Sequence, residues 1–208
     1  ISATDPLDLN GTTDLGLMFR GAEAFNADFD NWNTSEVVYM NDMFRGATNF
    51  NGDIGSWNTS NVVDMNDMFY SARNFNRDIS DWDTSNVTDM GSMFRNAEIF
   101  NADLNNWNTS EVVYMDEMFR DATNFNGNIS SWDTSNVVDM YRVFYSAKNF
   151  DRDIGGWDTS KVTNMRGMFR YANIFNGNIS DWDTSNVTDI GYMFYQADNF
   201  DHNLNEWN

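Results

Sequence analysis

Tryptophan recurs at positions 32, 57, 82, 107, 132, 157, 182 and 207, a spacing of 25 residues that no insertion or deletion disturbs. Phenylalanine keeps the same period in two columns, one from Phe19 through Phe44 to Phe194 and one from Phe25 through Phe50 to Phe200. Alanine keeps a third, from Ala22 through Ala47 to Ala197. A period this strict argues against a closed globular core. One unit is too small to bury its own apolar residues and must stack on its neighbours. The chain therefore reads as a pile of coils in which each residue type sits above its like.

Within one unit, Met65, Met68, Phe69 and Ala72 fall at i, i+3, i+4 and i+7, a spacing that predicts two turns of helix. So short a helix is not stable alone in water, so packing must hold it, with Asp64 or Asn61 as its cap. The segment Asp78-Ile79-Ser80-Asp81-Trp82 predicts a short strand with Ile79 and Trp82 inward. Thr84-Ser85-Asn86 predicts a turn whose hydroxyls and amide bond nearby backbone, and Val87 returns to the core. The expected fold class is an α/β repeat: a leucine-rich-repeat-like, right-handed solenoid of about eight 25-residue coils, with short parallel strands plus short helices.

Residues 1–208 read as one solenoid domain with internal history. Positions 26–100 align with 101–175 without a gap, and 54 of the 75 residues are identical, so a three-coil block has been duplicated. Segment 1–25 reads as a degraded N-terminal cap, with Leu7 where Trp belongs, Leu15 where Met belongs, and Pro6 just before. Segment 176–208 is the last coil, and it stops mid-unit at Trp207-Asn208, as expected of a truncated piece of a longer array.

The net charge of −20, from 32 acidic residues against 12 basic ones, repels phosphate backbones and anionic lipid surfaces. Nucleic acid is therefore an unfavourable partner, and direct membrane insertion is not expected, because no apolar run approaches the ~18 residues that span a bilayer. Cysteine is absent, which removes disulfides, thiolate metal sites and a cysteine nucleophile. One histidine, His202, leaves no nucleophile–base constellation, and acid pairs that recur in every coil read as structural. The chain is expected not to be an enzyme. An acidic surface with only two lysines, Lys148 and Lys161, suits a salty extracellular medium.

The pattern carried by WDTSNVTDMGSMF at 82–94 and WDTSNVTDIGYMF at 182–194 resembles the roughly 26-residue repeat of BspA-like, leucine-rich-repeat-related bacterial surface proteins. It covers the chain from about residue 12 onward, with a unit of 25 residues here. The resemblance implies an adhesion or partner-binding role at a cell surface and carries no catalytic residues.

Several columns invite chemistry. The Asn column (Asn26, Asn51, Asn76 and onward) suits stacked amides that satisfy the backbone of the next coil. The acidic column Asp28, Asp53, Asp78, Asp103 and Asp153 has two readings: carboxylates that cap turns, or ligands for calcium, a hard cation that takes oxygen donors. Thr34-Ser35 through Thr184-Ser185 suit turn hydroxyls or, less well, a flat ice-binding array. The variable positions Tyr39, Arg45, Tyr70, Arg95, Tyr114, Arg120, Tyr145, Arg170 and Tyr195 combine the two side chains favoured as anchors of binding surfaces. The expected function is a non-catalytic extracellular binding or adhesion module that presents an extended repeat surface to a protein or glycan. The alternatives are a calcium-stabilised structural spacer and, more weakly, an ice-binding protein.

Overall fold

A computed structural model describes residues 7–207, so Pro6 of the expected cap lies outside the described residues. Adjacent coils are tied in parallel register at one column, from Asp14 to Tyr39, Asp64, Asp89, Tyr114, Asp139, Asn164 and Asp189, each residue bridged to the one 25 positions on. These single-residue bridges are the only β structure among the described residues, and no helix occurs there. The leucine-rich-repeat-like α/β fold with short helices and short strands is thereby overturned on both elements. What stacks is a coil made of turns.

The reason lies in the backbone around the expected helix. In the coil that holds Met90, the N–H groups of Met93, Arg95, Ala97 and Phe100 donate to carbonyls three residues back, at 3.0–3.2 Å. Between them, the N–H groups of Met90, Ser92, Phe94 and Asn96 donate to Tyr114, Asp116, Met118 and Arg120 of the next coil, at 2.7–2.9 Å. Ser92 and Asn96 have φ of 53° and 60°, and equivalent residues of the other coils are also left-handed. A positive φ at the third position of a turn is the mark of type II geometry, and it stops an α-helix from propagating. The spacing that predicted a helix survives because consecutive turns of this kind also place Met90, Met93, Phe94 and Ala97 inward, where all four are fully buried.

Asp64, expected as a helix cap, instead accepts the N–H of Asn66 at 2.9 Å inside such a turn. The expected strand at Asp78–Trp82 is likewise a turn, closed by Trp82 N–H donating to Ile79 O at 3.2 Å.

The core is a set of vertical stacks. Phe69, Phe94 and Phe119 lie with ring centroids 5.6–5.7 Å apart and planes within 6°. Trp57, Trp82 and Trp107 repeat at 6.2–6.4 Å with planes within 2°. Each of these indoles keeps its N–H satisfied by a carbonyl 28 residues earlier, as Trp82 does with Ile54 at 3.1 Å. Burying such a ring fully contributes on the order of 2–3 kcal/mol, and offset aromatic stacking adds about 0.5–1.5 kcal/mol.

Polar columns lock the register. Oδ1 of Asn26, Asn51, Asn76, Asn101 and Asn126 accepts the N–H of the equivalent residue one coil on, at 2.7–3.0 Å. The threonine hydroxyls of Thr34, Thr59, Thr84, Thr109, Thr134 and Thr159 are buried, and each donates to a next-coil carbonyl at 2.8–2.9 Å. They are turn hydroxyls spent inside the stack and form no outward array. Packing is tight enough at Gly52 and Gly127 that an added Cβ would stand 1.9 and 2.0 Å from the carbonyl oxygens of Ala27 and Ala102. At the N-terminal end Leu15 takes the methionine position and is buried, whereas Leu7, in the tryptophan column, is 37% exposed.

Candidate functional site

The residue that follows Phe44 and its equivalents projects from the corner between two turns, so its side chain leaves the core and stacks outside it. This column reads Arg20, Arg45, Tyr70, Arg95, Arg120, Tyr145, Arg170 and Tyr195. Arg45 and Arg95 both lie over the Tyr70 ring, at 4.5 and 4.9 Å from its centroid. Arg120 and Arg170 flank Tyr145 at 5.0 and 5.7 Å, and Arg170 continues to Tyr195 at 4.8 Å. Each such contact contributes roughly 0.5–1 kcal/mol where exposed. Seven of the nine residues singled out in the sequence are thus brought into one ridge. Tyr39 and Tyr114 are not; they stand in the bridged column six residues earlier in their coils, 45% and 48% exposed.

Carboxylates three residues before the ridge neutralise its N-terminal part. Asp42 pairs with Arg20 at 3.6 Å and with Arg45 at 3.0 Å, and Asp67 pairs with Arg45 at 2.8 Å. Glu117, buried, receives Arg95 and Arg120 and lies 3.7 Å from Arg142. Burial would lower the basicity of Arg45, but its hydrogen bond to Asp42 and the charges of Asp67 and Asp42 outweigh it and hold the guanidinium above its ordinary value. Burial also pushes the Asp67 carboxyl up, against the opposing pull of Arg45.

The C-terminal part differs. The position three residues before Arg170 is Gly167, and its next-coil equivalent is Tyr192. Among the described residues no carboxylate pairs with Arg170, which donates to the Tyr171 hydroxyl at 3.0 Å. Its Nε is buried without an acceptor, and the rings of Tyr145, Tyr171, Tyr192 and Tyr195 surround the guanidinium at 4.8–5.7 Å. Beside this cage lies a groove of about 450 Å³ lined by Arg120, Tyr145, Lys148, Tyr171, Asn173 and Gln196, among others. Lys148, Tyr171, Tyr192, Arg142 and Arg166 belong to this region although the ridge pattern did not single them out. The available signal was that six of the twelve basic residues fall within 142–170.

The acidic column takes up turn positions. Asp53, Asp78, Asp103 and Asp153 each accept the N–H two residues on at 3.0–3.1 Å, and Asp28 accepts the N–H of Asp53 at 2.8 Å. Hydrogen bonds from the Ser80 N–H and hydroxyl hold the Asp78 carboxyl below the ordinary range. A depression of about 300 Å³ lies between Asp30, Asp53, Asp78 and Asp81. Among the described residues no three His, Cys, Asp or Glu side chains are grouped so as to hold a metal ion. His202 shares a hydrogen bond between its Nε2 and the Asn176 carbonyl at 2.9 Å.

The family described as "Mycoplasma protein of unknown function, DUF285" matches residues 3–98, 51–151, 77–173 and 127–208. The chain belongs to this family. The DUF285 matches overlap and slide along the chain, as they must when every coil resembles the next. No curated protein matches it.

Proposed function

We propose that this chain is a non-catalytic binding or adhesion module, exposed outside the cell, that presents its arginine–tyrosine ridge to a protein or glycan. The observation that carries this reading is the ridge itself, in which Arg45, Tyr70, Arg95, Arg120, Tyr145, Arg170 and Tyr195 form a row along the stack. Tyrosine and arginine bring large contact area with little conformational freedom to lose, which is why they dominate the energetics of interfaces. A repeat places such contacts at fixed intervals, so several weak sites on one partner surface engage together. The BspA-like resemblance of the repeat motif agrees with an attachment role at a bacterial surface. No helix among the described residues is long and apolar enough to cross a membrane.

The test is binding of the chain to arrays of extracellular-matrix proteins and of glycans, repeated with Tyr70→Ala, Tyr145→Ala and Tyr195→Ala combined. Binding that falls at least about tenfold in the triple variant, with its melting midpoint kept within a few degrees, supports the reading. Binding that ignores the ridge, or no binding to any array, overturns it.

A further inference from the structure

The two duplicated blocks supply an internal control for the groove beside Arg170. Moving its lining residues back by 75 positions gives Arg45, Tyr70, Arg73, Asn96, Glu98 and Asp121 in place of Arg120, Tyr145, Lys148, Tyr171, Asn173 and Gln196. In the first block the cation Arg73 is matched by Glu98 at 3.2 Å. In the second block that glutamate is Asn173, and no carboxylate pairs with Lys148 among the described residues. Asn96, whose amide donates to Ser71 Oγ at 3.0 Å, is replaced by Tyr171, which brings a ring to the groove wall. The one carboxylate that lines the second groove, Asp121, is engaged by Arg120 Nε at 3.2 Å. The groove therefore holds an uncompensated ammonium, with the acid-free Arg170 guanidinium next to it, on a chain whose net charge is −20.

We infer that the groove between Tyr145, Lys148, Tyr171 and Asn173 is a binding site for an acidic sugar, one bearing a carboxylate or sulfate. The chemistry of the lining supports a sugar in particular. The Tyr145 and Tyr171 rings meet edge to face, with centroids 5.4 Å apart. Their faces carry the flanking arginines, and the rest of each ring gives the groove wall an apolar part for the C–H groups of a pyranose. Ser146 and Gln196 bring a hydroxyl and an amide that exchange hydrogen bonds with sugar hydroxyls. Asn173 donates its amide N–H to Asp198 Oδ2 at 2.9 Å, engaging that carboxylate, and keeps its own oxygen as an acceptor. Lys148 supplies the charge that selects an acidic ring over a neutral one. At physiological ionic strength the screening length is about 8 Å, so remote carboxylates of the stack do not cancel a cation inside the groove. This assignment rests on the binding reading proposed above and names its ligand class.

The experiment uses the full chain and three hexasaccharide probes of matched length: one sulfated, one carrying uronic carboxylates only, and one neutral. Titration by calorimetry at low and physiological salt is run on the unaltered chain, on Lys148→Glu, and on Asn173→Glu, which restores the acid found in the first block. Expected are binding of one or both acidic probes, at least about tenfold weaker binding of the neutral one, and a tenfold or greater loss in both variants. Glu98→Asn in the first block is expected to leave the affinity of the original site unchanged and to raise the number of bound probes. Lys148 is exposed and Asn173 half-buried, so the melting midpoint serves as the check that the variants fold. Equal binding of neutral and acidic probes, no binding of either acidic probe, or acidic binding that survives both variants overturns the groove assignment. In the first and third of these cases the wider binding reading stands. If the array experiment above is negative as well, both fall.

Discussion

The first block, 26–100, and the second, 101–175, share the tryptophan, alanine and paired phenylalanine columns, differ in the core only at Met68/Val143 and Phe29/Leu104, and diverge most in charge around the ridge. The first carries twelve acidic and four basic residues, the second ten and seven, so their net charges are −8 and −3. Asn66, Asp67, Gly91, Asn96 and Glu98 have become Tyr141, Arg142, Arg166, Tyr171 and Asn173. In the first block Arg45 is tied to Asp42 and Asp67, and Arg95 reaches across the block boundary to Glu117, whereas in the second Arg170 is held by tyrosines. The comparison separates two demands on one repeat. Inward residues answer to the coil above and below and are kept or exchanged for another apolar residue, while outward residues answer only to solvent and to whatever binds there.

Breaking a shared column should cost both blocks alike, and this is the largest effect expected. Phe69→Ala and Phe144→Ala, each removing a fully buried ring from its stack, should each destabilise by about 3–5 kcal/mol in chemical denaturation. A difference between them of more than about 1.5 kcal/mol would mean that the blocks are not energetically equivalent inside. Next come Gly52→Ala and Gly127→Ala. The added methyl meets backbone oxygen in both cases, and a loss of about 2–3 kcal/mol is expected for each.

A smaller effect sharpens the contrast. Burial pushes the Asp116 carboxyl up to about 6, with the charges of Asp139 and Asp89 adding to it. A raised carboxyl means that the folded state holds its proton more tightly than the unfolded chain does. Stability is therefore greatest below the unfolded value near 3.9 and falls as pH rises towards about 6, above which the cost is constant. Asp116→Asn should stabilise by about 1 kcal/mol at pH 7.5, after allowance for solvent screening, and by nothing near pH 3.5. The first-block equivalent is Asn41, so Asn41→Asp should show the opposite sign over the same pH window. Asp78, Asp83 and Asp133 run the other way. Donors from Ser80, Ser85 and Ser135 hold them low, so what they contribute is present at neutral pH and lost in acid.

The smallest effect concerns cations. One oxygen of each acidic-column carboxylate is committed to a backbone N–H, and among the described residues no three acidic side chains are grouped to hold a metal ion. Calcium at about 2 mM should therefore raise the melting midpoint no more than sodium chloride of equal ionic strength. A calcium-specific rise would make the Asp30–Asp81 depression a ligand site and revive the calcium-spacer alternative.

Much of this was legible in the sequence because a strict period fixes which residues face inward whatever the local backbone does. The tryptophan, phenylalanine, methionine and alanine columns and the asparagine ladder follow from that alone. The helix and strand did not, since the spacing of Met90, Met93, Phe94 and Ala97 is met equally by a helix and by consecutive turns. The deciding quantity was the left-handed φ at positions such as Asp67, Ser71, Glu117 and Tyr192. Glycine would have announced it, yet among these columns only Gly21, Gly46 and Gly167 do so. The ridge was readable as one variable column. The groove was not, because it needs Lys148 and Asn173, whose partners are set by stacking across coils.

The alternating turn amides that reach from one coil to the next have a mechanical consequence. Each coil grips only its neighbours, through the same few bonds, so tension on the chain ends has no single catch to defeat. Coils come away from an end one at a time, and each releases 25 residues, or about 85 Å of extended chain. A tether built this way lengthens in equal steps under load, shedding force while the coils still in register keep their ridge in place.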